Sequence, residues 1–227
     1  MSSDIKKILD QFFNFKVAGK KVTIPYWMND LKKGIFGPYG GKGTPNEIRQ
    51  STLEAARKGK IDLEKATPEQ IYLLMKRNRI GLDCSGFAYQ VLNLLDRQKG
   101  NTGIEDRIFG VGGKGIRKTN ARALCGPKNT LPVKNIGQVK PGDLIRLMRG
   151  DHVAVVVEAD KGKIVYAHIS GETKIQGPHL GTIKIVDFGE GLKKQGWNEQ
   201  TKDGKNYGET YFYPQKGDSL RRLKIWA

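Results

Sequence analysis

Gly81-Leu82-Asp83-Cys84-Ser85-Gly86-Phe87-Ala88-Tyr89-Gln90-Val91-Leu92 is the stretch on which the reading of this chain turns. Phe87, Val91, Leu94 and Leu95 fall at i, i+4, i+7 and i+8, the stripe of a helix that faces a core. Asp83 stands just before that helix, where a carboxylate caps the first free N–H groups. Cys84 and Ser85 are then its first residues. A helix N-terminus carries unsatisfied N–H groups and a partial positive charge, and both favour thiolate over thiol. The placement therefore predicts an abnormally acidic Cys84. The N–H groups of Cys84 and Ser85 would be free to hold an oxyanion.

Upstream of this stretch the signals are helical. Residues 4–15 place Ile5, Ile8, Leu9 and Phe12 on one stripe. Thr44-Pro45-Asn46-Glu47 and Thr67-Pro68-Glu69-Gln70 each combine a Thr N-cap, a Pro at the first helical position and an acid or amide at the third. Gly59 ends the first of these helices. Residues 16–43, rich in Gly, Lys and aromatics, read as ordered loop. Downstream, residues 99–138 read as glycine-rich loop with one helix near 119–124. From Pro141 the texture becomes β. The runs 143–148, 152–158, 163–169, 182–186 and 220–226 are β-branched or apolar and are separated by Gly, Asp and Lys. Helices first and a mostly antiparallel sheet after them make an α+β layout. The expected division is a helical extension over 1–79 and a catalytic domain over 80–227.

A nucleophilic Cys84 needs a base and a group that orients the base. The chain offers three histidines, His152, His168 and His179. If Val157 pairs with Lys163 across a turn containing Asp160 and Gly162, His152 stands directly opposite His168. Opposed residues lie ~4.5–5.5 Å apart at Cβ and share a face. One imidazole can then serve Cys84 while the other sets its tautomer, as in a catalytic triad. His179, in Gly177-Pro178-His179-Leu180-Gly181, reads as a loop residue. Cys125 reads as a loop or core thiol.

The 81–92 stretch resembles the nucleophile motif of the NlpC/P60 cysteine peptidases. Pro141-Gly142-Asp143-Leu144-Ile145 followed by His152-Val153-Ala154-Val155-Val156 resembles their histidine strand. Ile164-Val165-Tyr166-Ala167-His168 is similar to the strand that supplies their third polar residue. The resemblance implies a papain-like fold and hydrolysis of amide bonds in bacterial cell-wall peptides. It also implies Cys84 as nucleophile, His152 as base and His168 as orienter. Tyr26, in Ile24-Pro25-Tyr26-Trp27, is the candidate for the family's upstream site tyrosine, although two helix signals intervene. Asp83 and Ser85 would support the oxyanion end. No metal or organic cofactor is implied.

Composition narrows the alternatives. With 37% hydrophobic and 28% charged residues the chain can build a core. Two cysteines exclude a disulfide-rich scaffold and a four-thiolate zinc site. Zinc held by Cys84, His152 and His168 would lack the usual closely spaced ligand pair. The net charge of +17 is spread over both halves. It suits an anionic polymer such as cell wall, and equally a nucleic acid, for which no binding motif is present. The alternative to catalysis is therefore a cationic polymer-binding module. The glycines of 110–115 lack the Gly-Lys-Ser/Thr ending of a phosphate loop. No run approaches ~18 apolar residues, and no signal-peptide core precedes the first helix. The expected location is cytoplasmic, or outside by a non-classical route.

Overall fold

The computed structural model describes all of residues 1–227. Helix α1 (Ser3–Phe13) is capped by Ser2 and buries Ile5, Ile8, Leu9 and Phe12. Full burial of such a side chain contributes about 1.5–3 kcal/mol, so this stripe ties α1 to the core. Strands β1 (Lys16–Val17) and β2 (Lys20–Lys21) form a small hairpin. Its turn residues Ala18 and Gly19 both have positive φ, the twist that suits a two-residue hairpin loop. Helix α2 (Pro45–Lys58) and helix α3 (Pro68–Arg77) start as the sequence indicates. Thr44 with Glu47, and Thr67 with Gln70, close reciprocal capping boxes. Gly59 caps the end of α2.

Helix α4 (Cys84–Gln98) begins at the cysteine, with the Asp83 side chain accepting from the Gly86 N–H. Beyond it lie a two-residue hairpin, β3 (Phe109–Gly110) with β4 (Gly113–Lys114), and the short helix α5 (Ala121–Leu124). The β half follows as β5 (Thr130–Pro132), β6 (Leu144–Leu147), β7 (His152–Ala159), β8 (Lys163–His168), β9 (His179–Lys184) and β10 (Gly196–Trp197). Helix α6 (Tyr207–Tyr211) and strand β11 (Ser219–Leu223) complete the chain. The seven strands run in the order β10-β9-β8-β7-β6-β11-β5, and every pairing is antiparallel. The architecture is α+β.

The sheet has two apolar faces. Val153, Val155, Val157, Val165 and Ala167 face the helices and join Phe12, Ile48, Met75, Phe87 and Val91 in one core. Ala154, Val156, Ile164 and Tyr166 point the other way and pack with Ile183, Trp197, Tyr207 and Phe212. The N-terminal 79 residues share the first core with α4 and the sheet. The turn at Pro141-Gly142-Asp143 is fixed by chemistry. Asp143 is buried, accepts from the Lys140 N–H, and forms a two-pronged ion pair with Arg222 of β11 at 2.7 and 2.8 Å. No helix is long and apolar enough to cross a membrane.

Three expectations need correction. The β7–β8 register places Val155 opposite Ala167 and Val156 opposite Tyr166, then shifts by one at a bulge before Glu158. His152 is therefore not opposite His168. The loop is tighter than expected, because Asp160 Oδ1 accepts from the N–H groups of both Gly162 and Lys163. The offset in the half that holds the histidines is two residues, so both keep the same face. Second, β9 starts at His179, which is a buried strand residue and not a loop residue. Third, the last strand ends at Leu223. Lys224–Trp226 form a 3₁₀ turn that lets the Trp226 indole N–H donate to Asp96 at 2.8 Å.

Candidate active site

Around Cys84 the chain crosses itself closely. The Asp83 N–H donates to the Gly41 carbonyl at 2.9 Å, and Tyr26 and Lys42 each bridge to Leu82. Gly86 makes this crossing possible. A Cβ there would stand 2.1 Å from the Gly41 oxygen, so only glycine lets the 41–42 backbone lie against the first turn of α4. The crossing delivers Lys42, whose ammonium contacts both Asp83 carboxylate oxygens at 2.7 Å and the Ser85 hydroxyl. The ion pair is buried, with side chains 10% and 8% exposed. Tyr26 thus reaches the cysteine despite its distance along the chain. Burial holds its phenol well above the ordinary value, with the Cys84 sulfur and Asp83 adding to that effect. An open depression of about 550 Å³, lined by Tyr26 through Lys32, runs outward from this point.

Cys84 itself corrects the expectation of an acidic thiol. Burial pushes it up to about 12, and the Asp83 carboxylate adds to the rise. Lys42 and the N–H groups of Val153 and Ser85 pull the other way without winning. A helix terminus contributes roughly 0.3–1 kcal/mol at exposed sites, whereas desolvation of a fully buried group shifts a pKa by up to ~3–5 units. The resting sulfur is a thiol. Its S–H points at the Asp151 carbonyl, 3.8 Å away, the residue immediately before His152.

The His152 ring does not hydrogen-bond to the sulfur. Its Nε2 lies 2.8 Å from His168 Nδ1, and its Nδ1 has no partner. The chain of contacts then continues into the protein. His168 Nε2 meets Glu199 Oε1 at 2.8 Å, His179 Nε2 meets the same oxygen at 2.7 Å, and the Tyr166 hydroxyl donates to Oε2. Counting protons along this line assigns the tautomers. An ionised Glu199 only accepts, so His168 carries its proton on Nε2. His168 Nδ1 is then a lone pair, which requires the proton of His152 on Nε2. His152 Nδ1 is left as a lone pair, the state of a general base.

The electrostatics agree with that assignment. Burial lowers His152 well below its ordinary value, and lowers His168 too, so both rings rest neutral. For Glu199, burial alone would raise the pKa. His168, His179 and Tyr166 together outweigh it and hold the carboxyl well below the usual range. The Tyr207 ring packs edge-on against His152 and His168, with centroids 6.3 and 5.5 Å away. Its hydroxyl is buried without a hydrogen bond. Gly181 makes room for Tyr166, since a Cβ there would meet the phenol ring at 2.2 Å.

No family model, curated protein or solved structure matches this chain. The structure gathers Tyr26, Asp83, Cys84 and Ser85 at one helix start, and joins His152 to His168 on the sheet. The two groups meet where the Cys84 sulfur packs on Asp151. Lys42 carries no sequence signal beyond the adjoining glycines. Glu199 carries none either, since 195–201 is a polar run. Only in the fold do Gln195, Trp197, Glu199 and Thr201 alternate buried with less buried neighbours, which turns Glu199 inward. A separate cavity of about 410 Å³, lined in part by Ile136, Phe188, Leu192 and Phe212, contains none of these residues.

Proposed function

We propose that this chain is a thiol amidohydrolase of papain-like design that cleaves amide bonds in peptidoglycan stem peptides. One observation carries the reading. The His152–His168–Glu199 line leaves His152 Nδ1 as a lone pair, and the Cys84 S–H points at the carbonyl of Asp151, the residue that precedes His152 in the chain. Because the thiol and the imidazole are both neutral at rest, the proton moves from sulfur to His152 Nδ1 as the sulfur attacks the carbonyl. His168 and Glu199 stabilise the imidazolium so formed. The N–H groups of Cys84 and Ser85, in the first turn of α4 without helical acceptors, hold the oxyanion. One such donor is typically worth ~3 kcal/mol. Collapse expels the amine, which takes the proton from His152. Water, deprotonated by His152, then cleaves the thioester.

The likeness of the Cys84, His152 and His168 motifs to NlpC/P60 peptidases supports the substrate class, and so does a +17 surface suited to anionic wall polymer. The depression beside Tyr26 is the expected entry for the peptide. The test is a digest of purified peptidoglycan, with release of new amino groups followed over time. Wild-type protein should release them, and the Cys84→Ala variant should not. Equal release by both, or none by either, rejects the proposal and leaves a cationic polymer-binding module as the better account.

A further inference from the structure

The ring of His179 is held at both nitrogens. Its Nδ1 faces the Gly177 carbonyl at 2.7 Å and its Nε2 faces Glu199 Oε1 at 2.7 Å. The same carboxylate oxygen already receives His168, and Tyr166 takes the other. His168 is fully buried, and His179 and Glu199 are nearly so.

Such a convergence of donors suits a metal ion. One ligand atom from each of His168, His179 and Glu199 lies within 4.8 Å of the other two. Two imidazoles and a carboxylate are the donor set of borderline divalent cations such as Zn²⁺. The outer shell of such a site is also built. Metal-bound histidines give their other N–H to a carbonyl, carboxylate or similar acceptor, which fixes ring and tautomer. His179 has the Gly177 carbonyl for this, and His168 has His152 Nε2. Tyr166 anchors the free oxygen of the carboxylate.

We propose that His168, His179 and Glu199 bind one divalent cation of the zinc class, and that binding turns His152 from a proton acceptor into a donor. The second half rests on the proposed thiol chemistry, and the first does not. The metal takes the lone pair of His179 Nε2, and that ring keeps its proton on Nδ1, toward the Gly177 carbonyl. It also takes His168 Nε2, whose proton reappears on Nδ1. His168 Nδ1–H then donates to His152 Nε2, which surrenders its own proton to His152 Nδ1. A protonated Nδ1 cannot accept the proton of Cys84. The bound metal is thus an off-switch placed on the far side of the relay from the sulfur.

Calorimetric titration of chelator-stripped full-length protein with Zn²⁺ tests the site. Wild type and Cys84→Ala should each bind one ion per chain. His179→Gln and Glu199→Gln should each weaken binding by more than the ~10–100-fold that loss of an outer-shell partner causes. Co²⁺ bound to wild type, which needs no variant to fold, should show a tetrahedral nitrogen–oxygen spectrum without a sulfur charge-transfer band. Absence of binding, loss of binding in Cys84→Ala, or a sulfur band overturns the site. Alkylation of Cys84 reads the switch separately. Saturating Zn²⁺ should lower the rate to that of His152→Ala. An unchanged rate in metal-loaded protein overturns the switch. A metal-free rate that ignores His152→Ala overturns the thiol mechanism instead.

Discussion

Cys84 and Cys125 make an instructive pair. Both are buried free thiols in the same apolar core, and burial pushes both up to about 12. One opens the fifteen-residue α4 and the other closes the four-residue α5. If helix position set acidity they would differ sharply, and they do not. What separates them is what stands nearby to take a proton. Cys84 rests against the residue before His152, whose free nitrogen is held as a lone pair by His168 and Glu199. The Cys125 segment is occupied instead with structure, since its carbonyl accepts from the Thr130 hydroxyl at 2.8 Å. Under the proposed mechanism, reactivity is decided by the base and not by the resting charge of the sulfur.

The contrast can be broken most sharply by deleting each thiol. Cys84→Ala should lower peptidoglycan hydrolysis by ~10⁴-fold or more, as nucleophile removal does elsewhere. Cys125→Ala should leave it within a few-fold. Equal losses would dissolve the distinction.

Removing the base is next in size. His152→Ala should slow alkylation of Cys84 by ~10²–10⁴-fold, the usual worth of general-base assistance. Mass spectrometry of the same digest gives Cys125 as the internal control, and its rate should not move. A parallel fall in both would mean that the variant had loosened the core.

Acid should erode the comparison from below. His152 and His168 have depressed values in the folded chain, so the unfolded chain binds more protons once pH drops under ~6.5. Stability must then fall with falling pH. Glu199, also depressed, extends the loss below ~4.3. Melting temperatures measured across this range should decline from near pH ~6.5 downward. A flat profile to pH ~5 would contradict the neutral, buried state of the relay.

The smallest expected effect belongs to Lys42. Its ammonium lowers Cys84 against burial and Asp83. Lys42→Met should raise the thiol further and slow Cys84 alkylation by up to ~10-fold, with Cys125 unchanged. An unaltered ratio of the two rates would remove Lys42 from the site.

Much of this was legible in the sequence, and the reasons are local. Thr44 with Glu47, Thr67 with Gln70, and Asp83 before Cys84 are capping signals whose partners lie within three residues. The strand cores 144–147, 152–158 and 163–168 declare themselves by composition. The register did not, because a bulge between Val156 and Glu158 is set by packing on two faces. The raised value of Cys84 is not legible there, because the helix end is visible in sequence while the depth of burial is not. Glu199 and His179 meet only when β9 and the polar stretch after β10 fold across β8. Lys42 meets Asp83 only through a backbone crossing.

That crossing has a consequence for how the molecule comes into being. Gly41 and Gly86 are far apart along the chain, yet the Gly41 oxygen fills the space where a side chain at 86 would begin. Contacts between distant segments form late, because the intervening loop must first be closed at an entropic cost. Helix α4 can be wound and capped by Asp83 well before that closure. An incompletely matured chain therefore displays the sulfur without its cation or its tyrosine.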